Sequence, residues 1–321
     1  MYVSVVVPCY RSAATLPALV SRLNDALPGF VSDFEILLVV DGGDIDTWTT
    51  ARDLEQAHER VQAFRLSRNY GQHNALVAGV RAASHDVIVT MDDDLQHRPE
   101  EIQVLLTALT DDIDLVYGVP EREEHGATRS LASRLAKAGL ERAMSVDGAR
   151  QISAFRAFRT YLRDGFAQLN GPHACLDVAL SWGTTGSTAV TVRMDDRAHG
   201  RSNYTVRMLI RHTLNMVLGY STGPLRIVTY LGFLAALMGL LLFVLMLFLY
   251  FSGQTQVAGF TTVACMVAIF SAAQLLAIGV LGEYVGRIHT NGLGRPTYLV
   301  RTPDLPAAAA IPAGRKALVE S

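Results

Sequence analysis

Three consecutive aspartates, Asp92-Asp93-Asp94, are followed by Gln96 and then by Pro99-Glu100-Glu101. Immediately before them runs Val87-Ile88-Val89-Thr90-Met91, a β-branched stretch that reads as a buried strand. Carboxylates crowded at the end of a strand invite a cation. In open parallel sheets ligands collect beyond the carboxyl ends of the strands, so Asp92, Asp94 and Gln96 would project into a binding crevice. Hard oxygen ligands suit Mg2+ or Mn2+, and Mg2+ commonly completes its shell with water and substrate phosphates. A solvated acidic turn with Asp94 as an N-cap is the alternative meaning of the same residues.

Other strand ends carry polar turns of the same kind. Phe34-Glu35-Ile36-Leu37-Leu38-Val39-Val40 closes on Asp41-Gly42-Gly43-Asp44, where the glycines allow close backbone approach and Asp41 could bond a nucleotide's base or ribose, or simply shape a turn. The run Val3 to Val7 ends in Pro8-Cys9-Tyr10-Arg11-Ser12, and the run Val61 to Ser67 in Arg68-Asn69-Tyr70-Gly71-Gln72-His73. Helical patterns over about 14–27, 46–60 and 74–83 separate these strands, and Asp114-Leu115-Val116-Tyr117-Gly118 reads as a further strand. Strand and helix alternate, which predicts an α/β domain built on a doubly wound, parallel sheet.

At 321 residues the chain has room for two domains, or for one domain and a membrane segment. Lys+Arg 28 against Asp+Glu 30 leaves no basic surface for nucleic acid and no acidic tail. Cys9, Cys175 and Cys265 lack the spacing of a metal site or a disulfide framework and read as small hydrophobes of a reducing compartment. The first apolar run is too short for a signal peptide and has no basic flank. No Gly-x-Gly-x-x-Gly follows the first strand, which argues against a dinucleotide oxidoreductase.

The hydrophobic half of the composition is concentrated late in the chain. From Ile227 to Gly282 there is no charged residue, and Ser252-Gly253-Gln254-Thr255-Gln256 divides this stretch into apolar spans of about 225–251 and 257–282. Each exceeds the roughly 20 residues that cross a bilayer, so the expectation is a two-helix transmembrane hairpin. Residues 205–224 interleave Val206, Leu209, Ile210 and Leu214 with Arg207, Arg211 and His212, the pattern of an interfacial amphipathic helix. Arg207, Arg211 and Arg226 precede the hairpin and Arg287, Arg295 and Arg301 follow it, so both flanks should be cytoplasmic. Gly232 and Gly239 would allow close packing of the two spans.

Four motifs in one order, Pro8-x-Tyr10, Asp41-Gly42, Arg68-Asn69-x-Gly71-Gln72 and Asp92-x-Asp94-Leu95-Gln96-x-x-Pro99-Glu100-Glu101, resemble the catalytic domain of family 2 glycosyltransferases. That resemblance implies a nucleotide-sugar domain of the GT-A type with a mostly parallel sheet. Pro8, Tyr10 and Asp41 would line the base and ribose pocket, Asn69, Gln72, Asp92 and Asp93 would complete the donor site, and Asp92, Asp94 and Gln96 would lie at a diphosphate-bound Mg2+ or Mn2+. Val40 departs from the pattern, since relatives usually carry two acidic residues before the glycine. Phe155-Arg156-Ala157-Phe158-Arg159 resembles the family's Phe-Arg-x-x-Arg stretch. Arg197-Ala198-His199-Gly200-Arg201-Ser202-Asn203-Tyr204 resembles its Arg-x-x-Gly-x-Ser-Lys-Tyr motif, with Asn203 where lysine is usual.

Residues 281–288 and Arg295-Pro296-x-Tyr298 resemble the C-terminal signature of bacterial undecaprenyl-phosphate sugar transferases. In that subgroup the acceptor phosphate is met by arginines. Arg129, Ser133 and Lys137 recur every four residues and would share one helix face, either solvated or turned to phosphate. The acceptor set implied is Arg129, Ser133, Arg150, Arg197, Arg201 and Ser202, with Arg129 and Arg201 counted among the catalytic residues beside Asp92 and Asp94. Asp147 would have at most a supporting role. His173 and His199 read as packing or hydrogen-bonding residues.

The organisation expected is therefore a cytosolic GT-A domain over 1–204, an interfacial helix over 205–224, spans over 225–251 and 257–282, and a cytosolic segment over 283–321 whose Ala/Pro-rich tail is a disordered end. The reaction expected is metal-dependent sugar transfer from a nucleotide-sugar to a polyprenyl phosphate at the bacterial inner membrane. The rival readings are transfer to a sugar hydroxyl, which needs a general base that no carboxylate after Asp94 plainly supplies, and a silent nucleotide-sugar binding protein anchored in the bilayer. The resemblance further implies a homo-oligomer, a tetramer in relatives.

Overall fold

A computed structural model describes residues 1–121, 152–167, 175–195, 223–253 and 259–301. The sites read from Arg129, Ser133, Asp147, Arg150, His173, Arg197, His199, Arg201 and Ser202, and the helix read over 205–224, lie outside the described residues. The chain divides into two compact units, one of residues 1–210 with 294–321 and one of residues 211–293.

In the first unit β1 (Tyr2–Cys9), β2 (Asp33–Val40), β3 (Val61–Arg65), β4 (Val87–Thr90), β5 (Leu115–Pro120), β6 (Arg156–Arg159) and β7 (Ser187–Val192) form one sheet of order β3-β2-β1-β4-β6-β5-β7. The helices are α1 (Leu16–Ala26), α2 (Ile45–Ala57), α3 (Gln72–Ala82), α4 (Ile102–Ala108) and α5 (Leu176–Gly183). Successive side chains of a strand point to opposite faces, and here both faces are covered. Val3, Val5 and Val7 of β1 pack with Leu16, Leu19 and Leu23 of α1 and Ile102 and Leu105 of α4. Val6 joins Leu37 and Val39 of β2 against Leu76, Val77 and Val80 of α3 and Leu176 and Leu180 of α5. This two-sided burial explains why β1 and β2 read as mostly apolar runs rather than alternating ones.

The sheet departs from an all-parallel expectation at one strand. β6 runs antiparallel to both β4 and β5, with Ile88 opposite Phe158 and Val89 opposite Ala157. It therefore separates β4 from β5, which follow one another in sequence. Among the described residues the other neighbouring strands pair in parallel.

The second unit holds two long helices, α6 (Gly223–Phe251) and α7 (Phe260–Gly292). Gly239 of α6 lies against Phe270 of α7, and a Cβ there would meet that ring at 3.1 Å. Within α7, residues Ile269–Gly292 are long and apolar enough to cross a membrane; Leu225–Leu241 is a shorter apolar stretch of α6. Phe233, Leu241 and Leu275 are well exposed on these helices. After α7, Gly294 takes a left-handed turn (φ 63°) and the chain re-enters the first unit.

Candidate active site

The ends of β1, β2 and β4 and the loop before α3 surround a cavity of about 590 Å3. Pro8, Tyr10, Asp41, Asn69, Gln72 and all three consecutive aspartates line it, so the sequence-predicted donor residues do converge. Each is delivered by a strand that stops at the same edge, the ordinary consequence of parallel strands sharing a direction. Gln96 is half-buried beside this group, its amide donating to Asp94 Oδ1 at 3.1 Å. Leu95 has a φ of 65°, and this left-handed residue bends the acidic loop between them.

Several of these side chains are engaged in holding the cavity together. Asp41 accepts from the amides of Tyr70 (2.7 Å) and Gly71 (2.8 Å), one on each carboxylate oxygen, tying the end of β2 to the loop at 68–72. Burial raises its pKa against those two bonds. Gly42, with a φ of 98°, lies so close to Asn69 that a Cβ would meet its backbone nitrogen at 2.6 Å. Gln72 Nε2 donates to Asp92 Oδ1 at 2.6 Å, joining the same loop to the acidic one. Asp93 accepts from the Tyr10 amide at 2.9 Å, and burial lifts it to about 6, helped by the charges of Asp92 and Asp94. Asp93 is thus a wall anchor for β1 as well as a cavity residue.

Arg11 is a cavity residue that the sequence reading passes over. Its φ is 55°, and its guanidinium lies 5.3 Å from the Tyr10 ring centroid. Among the described residues the lining carries Asp41, Asp92, Asp93 and Asp94 against one cation, Arg11. Asp92, Asp94 and Gln96 are half-buried and would offer oxygen ligands, the donor type that suits a hard divalent cation such as Mg2+ or Mn2+.

Beneath the acidic loop is a buried polar layer. His97 accepts the Asp92 amide on Nδ1 at 3.0 Å and stacks on Phe155, ring centroids 5.0 Å apart. Burial drives its pKa down to about 4, so the ring is a neutral acceptor with its proton on Nε2. Arg156 is 1% exposed, donates to Thr90 Oγ1 at 2.9 Å and forms an ion pair with Asp177 of α5. Asp177 is the acid that sequence reading missed. His73, Cys175 and Asp177 bring ligand atoms within 4.8 Å of one another, but Arg156 already neutralises the carboxylate and burial pushes the Cys175 thiol up to about 11. That chemistry opposes a cation there.

The residues after β7 are fastened to the acidic loop. Asp195 donates its amide to the Gln96 carbonyl at 2.9 Å, Met194 bridges His97, and the Arg193 amide donates to Glu101 at 3.2 Å. Arg22 reaches both Glu100 (2.8 Å) and Asp195 (3.3 Å), adding a partly exposed ionic clasp.

A mostly parallel α/β sheet with an acidic loop at the mouth of a cavity beyond β1, β2 and β4 defines a GT-A type domain. A crystal structure of a mycobacterial protein shares this fold, with a TM-score of 0.50 at 18% identity over 68% of this chain and 72% of that one. The chain belongs to glycosyl transferase family 2, whose pattern matches residues 4–169, and it is a glycosyltransferase. It is 31% identical over 304 residues to the undecaprenyl-phosphate 4-deoxy-4-formamido-L-arabinose transferase of Yersinia enterocolitica, covering 93% of this chain and 92% of the relative. The enzyme of the same name from Serratia proteamaculans is 33% identical over 304 residues, covering 93% of each chain.

Proposed function

We propose that the cavity binds a nucleotide-sugar and that the sugar passes, with inversion at the transferred carbon, to undecaprenyl phosphate or a similar polyprenyl phosphate. The observation that carries this reading is the charge at the cavity mouth, four carboxylates against Arg11. A diphosphate enters such a site only with a divalent cation, which would be held by Asp92 and Asp94 with Gln96. Mg2+ or Mn2+ there supplies charge neutralisation of the departing nucleoside diphosphate. Pro8, Tyr10 and Asn69 frame the nucleoside end, while Asp41, Gln72 and Asp93 keep the surrounding loops in register.

A phosphate monoester has a second pKa of about 6, so the acceptor oxygen is already an anion near neutral pH and needs no general base. The Arg156 ion pair supports this, because it already engages the buried carboxylate Asp177. What the acceptor needs is fixed positive charge, the role we assign to Arg129, Arg150, Arg197 and Arg201 with Ser133 and Ser202. The names of the relatives support the lipid acceptor, and the apolar α6 and α7 support a transmembrane hairpin in the bacterial inner membrane with the first unit in the cytosol and residues 205–224 at the interface. Assembly as a homo-oligomer completes the reading.

The test is transfer by the full-length protein in detergent, given undecaprenyl phosphate and a panel of nucleotide-sugars with Mn2+ or Mg2+. One donor is expected to yield a lipid-linked sugar, with the product lost in EDTA and in Asp94→Asn while the protein stays folded. Full activity in chelator overturns the metal assignment, and transfer only to sugar hydroxyls overturns the acceptor.

A further inference from the structure

We propose that the residues following α7, 295–301, form a strap that holds the donor loop in its binding shape, with Tyr298 as the positioning residue; this rests on reading the cavity as the donor site. The observation is a backbone pairing at the edge of the sheet. β3 is the outermost strand on its side, and an open strand edge is a row of unpaired donors and acceptors. Here it is covered. Val300 forms an antiparallel bridge with Leu66, Ser67 donates its amide to the Leu299 carbonyl at 2.8 Å, and Arg301 donates its amide to the Arg65 carbonyl at 2.7 Å.

The side chains follow the same logic. Thr297 and Tyr298 are 2% and 4% exposed and Leu299 52%, so the two residues before Leu299 seat the segment. The Tyr298 ring lies in the core cluster of Leu66, Leu76 and Phe158, against which Tyr70 also packs. Arg81 of α3 stacks over the ring, its guanidinium carbon 5.7 Å from the centroid. The Tyr298 hydroxyl is buried with no hydrogen-bond partner among the described residues, so the fold uses the ring and not the oxygen.

What the strap covers is the root of the donor loop. The chain runs from Ser67 to Tyr70 and Gly71, whose amides are held by Asp41, and on to Gln72, which holds Asp92. Removing the strap frees one side of that root and withdraws packing from Tyr70. Its backbone bonds among the described residues reach Arg65, Leu66 and Ser67, so loss of the strap acts on this loop and leaves β1 intact.

The experiment compares full-length wild type, Tyr298→Ala, Tyr298→Phe and Arg301→Pro in detergent. Arg301→Pro deletes the donor to Arg65 at an exposed position and leaves the core alone, so it serves if Tyr298→Ala does not fold. Hydrogen exchange at the amides of Ser67, Tyr70 and Gly71 is expected to rise about tenfold in Tyr298→Ala and measurably in Arg301→Pro. Tyr298→Phe should exchange at the wild-type rate, and amides of β1 should not change in any variant. In parallel, UDP and GDP are titrated with Mn2+; the nucleotide that binds wild type should bind Tyr298→Ala about tenfold more weakly and Tyr298→Phe equally well. Unchanged exchange at 67–71, equal acceleration in β1, or loss of binding in Tyr298→Phe overturns the strap. If exchange responds as stated but neither nucleotide binds wild type, the strap's hold on the loop stands and the donor reading fails.

Discussion

His97 shows how much of this site is decided by a residue that never faces the cavity's ligand. Its neutral imidazole accepts the Asp92 amide, so the backbone that carries the first acid is fixed from below. His97→Phe would keep the stacking on Phe155 and lose only the acceptor. Outer groups of this kind commonly account for about 10- to 100-fold in metal affinity or activity, so the variant should need correspondingly more Mn2+ for half-maximal transfer. A Mn2+ titration identical to wild type would reduce His97 to packing. The place of the aspartates is legible in the sequence, because the end of an apolar strand in a parallel sheet opens on the crevice. His97 is not, because its partner is a backbone amide rather than a residue type. Asp41 lies between these cases: its position follows from the strand end, whereas its bonds to Tyr70 and Gly71 depend on a loop that only the fold brings near.

At the scale of elements, the long apolar runs announce themselves and the short ones do not. β1, β2 and β4 are recognisable because burial on both faces leaves few polar interruptions, and Ser4 in β1 and Glu35 in β2 satisfy each other by a hydrogen bond. β6 has four residues and an arginine at each end, so nothing in its periodicity marks a strand. Arg156 is tolerable there only because Thr90 and Asp177 receive its guanidinium. The tightest joint in the sheet is likewise invisible locally. At Gly79 of α3 a Cβ would fall 2.3 Å from Val6 Cγ1 and 3.0 Å from Val39 Cγ2. Alanine improves helix propensity by about 1 kcal/mol over glycine, but overpacking a tight core costs about 1–3 kcal/mol. Gly79→Ala should therefore lower the thermal midpoint in detergent, and adding Val6→Ala should restore part of the loss. Strictly additive losses in that double-mutant cycle would mean that the two positions do not touch.

For the whole molecule, the proposed transmembrane hairpin would set where the chemistry happens. With all three native cysteines replaced by alanine, a cysteine at Gln254 should react with an impermeant thiol reagent added to intact cells, whereas one at Ser321 should react only after lysis. The reverse pattern would put the nucleotide cavity on the wrong side of the bilayer. The strap has a consequence in the order of synthesis. β3 is made early, and the segment that bonds the end of its outer edge is made only after both long helices have been synthesised. At about 5–20 residues per second, the interval from Arg65 to Arg301 lasts roughly 10–50 s. For most of that time, once Asp94 has been added, the nascent chain carries its acidic cluster without the segment that bonds the end of β3. A chain released before residue 295 would have every carboxylate of the site and lack the segment that bonds Arg65 and Ser67, so under the strap proposal the loop is steadied only in a chain that extends past both long helices.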